Sequence, residues 1–114
     1  MVAHRGEVWW ADFGEPRGSE PGFMRPVVIV QANPLNESTM ATVMVVPLTS
    51  NLRRAEALGN VRLEIKETGL DKVSVALTCQ IVTLDDDWLV ERVNVLPIRA
   101  MRRLDDGLKL ALAL

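Results

Sequence analysis

The fold of this chain is constrained most by short apolar runs that are long enough for a β-strand and too short for a buried helix. The clearest are residues 27–30 and 43–46, which consist of Val, Ile and Met. A continuous apolar run of this length is typical of a strand that is buried on both faces. Pro26 precedes the first run and Pro47 follows the second, where a missing N–H disturbs a sheet least. The chain is therefore predicted to form mainly a β-sheet.

Alternation and β-branched content predict the other strands, and the full set is residues 6–13, 25–31, 41–48, 61–65, 73–84 and 93–96. In the first strand, Trp9 and Trp10 are expected on opposite faces. In the long segment 73–84, Cys79 shares a face with aliphatic residues and is expected to be a buried, inert thiol. Five or six mostly antiparallel strands of this length favour a small barrel.

A long helix is predicted for residues 98–112, where leucine, methionine and alanine recur at helical spacing. Arg102 and Asp106 lie four residues apart on its charged face and can pair. Residues 85–87 are three aspartates directly before Trp88, and they predict a helical turn capped by an acid. A helix cap explains these acids without a metal ion, so no metal site is assigned to them.

Composition narrows the possible chemistry of the chain. Its 114 residues, 48% of them hydrophobic, are predicted to form one domain spanning 1–114. A single cysteine excludes an internal disulfide and a cysteine-based zinc site, and a single histidine, His4, excludes histidine pairs. A net charge of −2 argues against a general nucleic-acid coating protein and leaves a local basic groove open. With no membrane-length apolar stretch and no secretory signal, a cytoplasmic location is expected.

The loop at residues 13–24 is rich in glycine and proline and leads into the buried strand that carries Arg25 at its start. It exceeds the usual hairpin length of about 2–5 residues, which fits either a functional loop or a plain connector. The next connection, to segment 41–48, is too short for a crossover helix, so these two strands are predicted to be antiparallel neighbours. That pairing would place Arg25 beside Thr49.

An arginine beside a threonine is suited to bind phosphate, because the guanidinium donates two parallel hydrogen bonds and the hydroxyl donates another. Such a site can support cleavage of RNA by its own 2′-hydroxyl, which needs alignment and charge stabilisation and no metal. Glu20 is the nearest carboxylate in sequence that can accept the proton. On residue chemistry alone, Arg25 as a simple charge at the sheet edge remains the alternative.

Several segments together resemble a known family. They are RGEVWWADF at residues 5–13, GSE at 18–20, RPVVIVQ at 25–31 and VVPLTS at 45–50, with further matches from residue 69 into the C-terminal helix. In this combination the chain resembles the MazF/PemK family of toxin endoribonucleases over essentially its whole length.

This resemblance implies an α+β fold, namely a small compact antiparallel β-barrel (SH3-like, of the CcdB/Kid/MazF type) with a C-terminal α-helix. It implies a homodimer that cleaves single-stranded RNA, chiefly mRNA, into 2′,3′-cyclic phosphate and 5′-hydroxyl ends without a cofactor. Arg25 and Thr49 match the catalytic pair. RNA binding is assigned to Ser19, Glu20, Arg53 and Gln80. A cognate antitoxin is expected to place a disordered segment in the same groove and to fold there.

The chain departs from the family pattern at Val73, Cys79 and Val82, where relatives often carry charged residues. Because the catalytic pair is intact, activity is still expected, with an RNA preference that can differ from that of relatives. Two alternatives remain open at this point. One is a toxin of the same fold that poisons gyrase by protein contact, and the other is an inactive scaffold that only binds a partner.

Overall fold

The structure is a computed structural model, and it describes residues 2–14 and 24–114. Within these residues the strands are β1 (Glu7–Asp12), β2 (Met24–Ile29), β3 (Thr42–Thr49), β4 (Val61–Leu63), β5 (Ser74–Ala76), β6 (Val82–Asp85) and β7 (Leu89–Val95). The α-helices are α1 (Asn33–Asn36), α2 (Ile65–Thr68) and α3 (Ile98–Leu112), and short 3₁₀ turns lie at Leu52–Glu56, Thr78–Gln80 and Asp86–Trp88. None of the described helices is both long and apolar enough to cross a membrane.

The strands form one curled antiparallel sheet in the order β4-β5-β3-β2-β1-β7, and β6 pairs with β3 beyond the end of β5. The sheet makes a half-barrel, and α3 packs against one face of it through Leu104 and Leu108. This confirms the predicted α+β class with a C-terminal helix. The helix spans residues 98–112 as predicted.

Hydrophobic side chains are buried on both faces of the central strands. On the face toward α3, Val28 and Val46 join the helix in one core. On the opposite face, Val27, Val45 and Trp9 form a second core. Trp9 is buried and its neighbour Trp10 is half-buried against the first core, so the two indoles do lie on opposite faces. Burial on both faces explains why these strands are uninterrupted apolar runs in the sequence.

The prediction of one long strand at residues 73–84 is wrong. Leu48 of β3 faces Ala76, whereas Val45 faces Val82, so three residues of β3 correspond to six of its partner. The chain accommodates the three extra residues in the 3₁₀ turn Thr78–Gln80. Because this turn separates β5 from β6, the sheet has seven strands. As a result Cys79 is exposed, and the expectation of a buried thiol is also wrong.

Two smaller predictions also need correction. The last strand is longer than residues 93–96, because β7 begins at Leu89, opposite Ala11 of β1. The ion pairs of α3 among the described residues do not include Arg102 with Asp106. Instead Arg103 contacts Glu67 at 3.0 Å and Asp105 contacts Arg5 at 2.7 Å, so the helix is fastened to other elements.

Candidate active site

The register of the two central strands brings Arg25 and Thr49 together. β2 and β3 are antiparallel, with Val27 opposite Pro47 and Val28 opposite Val46. Continuing this register by two residues places Arg25 opposite Thr49. Both residues line the same cleft. The predicted antiparallel pairing is therefore confirmed, and Arg25 and Thr49 line one cleft, as expected if the two residues are neighbours.

The cleft has a volume of about 420 Å³ and is lined by both apolar and polar residues. Trp10, Pro26, Leu48 and Leu70 contribute apolar surface. The polar lining residues are Arg25, Thr49, Ser50, Asp71, Lys72 and Ser74. Apolar surface combined with cations and hydroxyls suits a nucleotide, whose base is flat and apolar and whose phosphate is anionic.

Arg25 is half-buried at the start of β2. Burial lowers the pKa of its guanidinium, and the nearby positive charge of Arg54 lowers that pKa further. Both effects mean that the cation is destabilised where it stands, and an anion bound in the cleft would relieve them. Arginine remains protonated in proteins, so Arg25 serves this site as a fixed charge and a hydrogen-bond donor.

Thr49 ends β3, and its hydroxyl is oriented by the turn that follows. The backbone N–H of Asn51 donates to Thr49 Oγ1 at 3.2 Å, and Asn51 Oδ1 accepts from the Arg53 N–H at 3.2 Å. The hydroxyl oxygen is thus engaged as an acceptor. Its O–H remains suited to donate toward an anion beside Arg25.

Sequence reasoning missed Ser50, Asp71, Lys72 and Ser74 as cleft residues. Ser50 directly follows Thr49, and the other three reach the cleft because β5 pairs with the end of β3, which sets Val75 opposite Thr49. The chain enters β5 through a sharp turn at Gly69, whose φ of +76° favours glycine. The turn at Gly69 was visible in the sequence, whereas the pairing of β5 with β3 was not.

Of the other predicted site residues, Arg53 and Gln80 do not line this cleft. Ser19 and Glu20 lie outside the described residues. Arg53 is exposed on the 3₁₀ turn Leu52–Glu56, and Gln80 is exposed at the end of the turn Thr78–Gln80. Their assignment to RNA binding remains a prediction.

The three aspartates at 85–87 lie apart from this cleft. Their carboxylates come within 4.8 Å of one another and are largely exposed. The predicted helical turn is present as the 3₁₀ turn Asp86–Trp88, but the Asp85 side chain does not cap it. The aspartate at the cap position is therefore not explained by a cap hydrogen bond, contrary to the sequence prediction.

The residues of the cleft are suited to bind a phosphodiester. Arg25 and Thr49 from adjacent strands line the same cleft, and Lys72 adds a second positive charge to a lining that also includes the carboxylate of Asp71. Donors held in this way on two paired strands need little rearrangement to bind a phosphate or a phosphorane-like transition state.

The chain is similar to one known protein family and to two curated proteins over nearly its whole length. Residues 4–112 match the family described as PemK-like, MazF-like toxin of type II toxin–antitoxin system. The chain is 42% identical over 114 residues to endoribonuclease MazF6 of Mycobacterium tuberculosis, covering 100% of both chains. It is 32% identical over 114 residues to endoribonuclease EndoA of Bacillus subtilis, covering 100% of this chain and 97% of that protein.

A solved structure shows the same fold. It is a mycobacterial endoribonuclease in complex with its cognate antitoxin, with a TM-score of 0.78 and 24% identity over 99% of this chain and 95% of the other. The curled sheet, the C-terminal helix and the full-length sequence matches agree with one another. The chain belongs to the PemK/MazF family of toxins of type II toxin–antitoxin systems.

Proposed function

We propose that this toxin is a metal-independent, sequence-specific endoribonuclease that cleaves single-stranded RNA, chiefly mRNA, and thereby inhibits translation and growth. The observation that carries the proposal is that Arg25 and Thr49, from adjacent antiparallel strands, line one cleft together with apolar side chains and Lys72. The relatives at 42% and 32% identity are named endoribonucleases, which supports the reaction class.

The proposed reaction is attack of the ribose 2′-hydroxyl on the adjacent phosphorus. A bond forms from O2′ to phosphorus and the bond from phosphorus to O5′ breaks, leaving a 2′,3′-cyclic phosphate and a 5′-hydroxyl. Negative charge builds on the non-bridging oxygens, where Arg25 donates two hydrogen bonds and Thr49 donates one. Loss of one such preorganised donor typically lowers the rate by about 10²–10³.

The reaction also requires two proton transfers. The 2′-hydroxyl must lose a proton and the leaving O5′ must gain one. Arg25 stays protonated and is a poor base at neutral pH, so it stabilises charge and donates a hydrogen bond to the leaving O5′, which takes its proton from water. We assign the base to a carboxylate: Glu20 by sequence, with Asp71 of the cleft lining as the second candidate.

The test is cleavage of a long defined RNA by wild-type protein and by the Arg25→Ala and Thr49→Val variants. We expect both variants to lose at least about 10²-fold in rate while retaining the wild-type circular dichroism spectrum. If the wild-type protein left the RNA intact, the proposed function would be contradicted. A variant of Arg25 that no longer cuts RNA and still arrests growth would instead favour a toxin that acts by protein contact.

We further propose a cytoplasmic setting in which a cognate antitoxin blocks this cleft. An acidic segment that is disordered when free would place carboxylates against Arg25 and Lys72 and its apolar residues on the apolar lining of the cleft. The mycobacterial structure with the same fold is a complex with a cognate antitoxin, which supports this assignment.

We also propose that the toxin works as a homodimer. The sheet and the end of α3 form an apolar groove of about 350 Å³, lined by Val30, Met44, Ile81, Leu108, Leu112 and Leu114 among others. Leu112 and Leu114 are 52% and 86% exposed, which is unfavourable for a lone chain and suits burial against a second copy. Gln80 lies next to Ile81, so its predicted RNA contact would be made near this dimer face.

A further inference from the structure

A second pocket lies at the end of β1 and is distinct from the cleft that Arg25 lines. It has a volume of about 280 Å³ and is lined by Asp12, Phe13, Gly14, Asp87, Trp88 and Val90. The two pockets share no lining residue. They adjoin through the pairing of Asp12 with Met24, which lines the cleft. The proposed endoribonuclease reaction makes no use of this second pocket.

The pocket presents apolar surface that the rest of the fold leaves uncovered. Trp88 is 45% exposed and Val90 is 54% exposed, although both are sequence neighbours of the buried Leu89. Phe13 is half-buried and packs against the core that contains Trp9. Exposed apolar and aromatic side chains grouped in a concavity are typical of a surface that a partner covers. An occupant is therefore expected to bring apolar groups to these side chains.

Carboxylates accompany this apolar surface. Asp12 and Asp87 line the pocket, and the carboxylates of Asp85, Asp86 and Asp87 come within 4.8 Å of one another. None of these four acids forms an ion pair with another described residue, and the described lining of the pocket contains no cation. Asp12 Oδ1 accepts from the Gly14 N–H at 2.8 Å, which fixes that carboxylate at the end of the strand. Like charges repel, and a cation placed among them would relieve the repulsion.

The negative charge decides between the possible occupants. An RNA strand would bring its phosphates to the aspartates, which is unfavourable. A second copy of this chain related by a two-fold axis would oppose aspartates with aspartates if this pocket were the interface. A cationic side chain complements the carboxylates, and its alkyl stem suits the apolar lining. Arginine fits best, because its planar, weakly hydrated guanidinium both pairs with carboxylates and stacks on aromatic rings.

We propose that this pocket docks an arginine carried by an extended segment of a protein partner. The guanidinium packs on Trp88 and pairs with the carboxylate of Asp87, and apolar residues on either side of the arginine cover Val90 and Phe13. The partner is thus recognised by a positive charge flanked by apolar side chains, the opposite of the acidic segment expected in the RNA cleft. This docking does not depend on the proposed endoribonuclease function, so each can fail without the other.

The test uses two capped peptides, Gly-Leu-Arg-Leu-Gly and the same peptide with citrulline, which keeps the shape of arginine without its charge. Binding to the protein is followed by NMR through the indole N–H signals of the three tryptophans. Trp9 is buried, Trp10 lines the RNA cleft and Trp88 lines this pocket, so the three signals distinguish the sites. We expect the arginine peptide to shift the Trp88 signal saturably, and the citrulline peptide to bind at least about fivefold more weakly.

Two variants locate the contact, and a third is the control. Trp88→Ala should weaken binding of the arginine peptide by about fivefold, and Asp87→Asn should weaken it by about threefold. Both positions are exposed, so both variants should keep the wild-type circular dichroism spectrum. Asp106→Asn removes an exposed aspartate from α3 instead and should bind the peptide as wild type does. For Trp88→Ala, binding is measured by isothermal titration calorimetry, with wild type measured in the same way.

Several results would overturn the proposal. They are equal binding of the arginine and citrulline peptides, a Trp88 variant that binds as tightly as the Asp106 variant, and a Trp10 signal that shifts in parallel with that of Trp88. If poly(U) shifts the Trp88 signal and the peptide does not, the pocket belongs to RNA. If sedimentation shows a self-association that Trp88→Ala abolishes, the occupant is a second copy of the chain.

Discussion

The carboxylate of Glu7, buried at the start of β1, ties three parts of the chain together. It accepts hydrogen bonds from the His4 N–H at 2.8 Å, from Trp9 Nε1 at 3.0 Å and from Arg92 Nε at 2.9 Å. Burial by itself raises the pKa of Glu7, and the bonds from Trp9, His4 and Arg92 outweigh it, so the pKa lies below its ordinary value of 4.5. The ionised form is therefore the one that stabilises the fold.

This pKa direction predicts how stability depends on pH. A carboxylate whose folded-state pKa is depressed contributes stability above its unfolded pKa and loses it as pH falls through the folded value. Glu7→Gln should lower the free energy of unfolding by about 2 kcal/mol at pH 7, and the difference from wild type should shrink as pH falls below 4.5. Urea unfolding over this range measures both. The exposed Glu37→Gln is the control, and a pH-independent difference would contradict the assignment.

At the scale of elements, α3 approaches the sheet closely because residue 107 is glycine. A Cβ at Gly107 would clash with the Gly59 carbonyl oxygen and crowd Thr78 Cγ2 at 3.0 Å. Thr78 in turn donates its hydroxyl to the Gly59 carbonyl at 2.8 Å and its N–H to Asn60 Oδ1 at 3.1 Å. This contact holds the loop that ends at Asn60 against the turn that divides β5 from β6.

Gly107→Ala tests this contact. Alanine usually stabilises a helix relative to glycine by about 1 kcal/mol, so an uncrowded position would show a higher Tm. Here we expect a loss of about 1–3 kcal/mol from overpacking, seen as a Tm lower by several degrees. Thermal unfolding, monitored by circular dichroism, measures the Tm of both proteins. A raised Tm would show that α3 can shift away from Gly59 without cost.

The same elements show what the sequence could predict. The helix at 98–112 and the pairing that joins Arg25 to Thr49 followed from periodicity and from a connection too short for a crossover. The break at Thr78–Gln80 did not, because the alternation in residues 73–84 satisfies the local rules for a strand. Only the tertiary contact of Thr78 with Gly59, and the pairing of β3 with both β5 and β6, terminate that strand. Cys79 was misjudged for this reason, whereas Asp71 and Lys72 were missed because the pairing of β5 with β3 was not visible in the sequence.

At the scale of the whole molecule, charge and apolar surface are segregated. The net charge is −2, yet the lining of the described cleft includes two cations, Arg25 and Lys72, and one carboxylate, Asp71. A second face, at the end of α3 and the neighbouring strands, is apolar. Cations in the cleft suit an anionic polymer, and the apolar face suits contact with a second copy of the chain.

A charge placed on the apolar face tests the homodimer. Met44 is 37% exposed and lines the groove, so Met44→Asp should convert a dimer to a monomer in sedimentation equilibrium. The matched control is Met40→Asp, at a methionine that is 44% exposed and lies away from that groove. A wild-type protein that sediments as a monomer, or a Met44 variant that remains dimeric, would contradict the assigned face.

The most direct measurement of the central claim is the chemistry of the RNA ends made in excess EDTA. If Arg25 and Thr49 promote attack by the 2′-hydroxyl, wild-type protein cuts a long defined RNA under these conditions. The fragments then carry 2′,3′-cyclic phosphates, and their 5′ ends accept phosphate from polynucleotide kinase without prior dephosphorylation. Cleavage that vanishes with EDTA, or fragments with 5′-phosphate and 3′-hydroxyl ends, would contradict the mechanism.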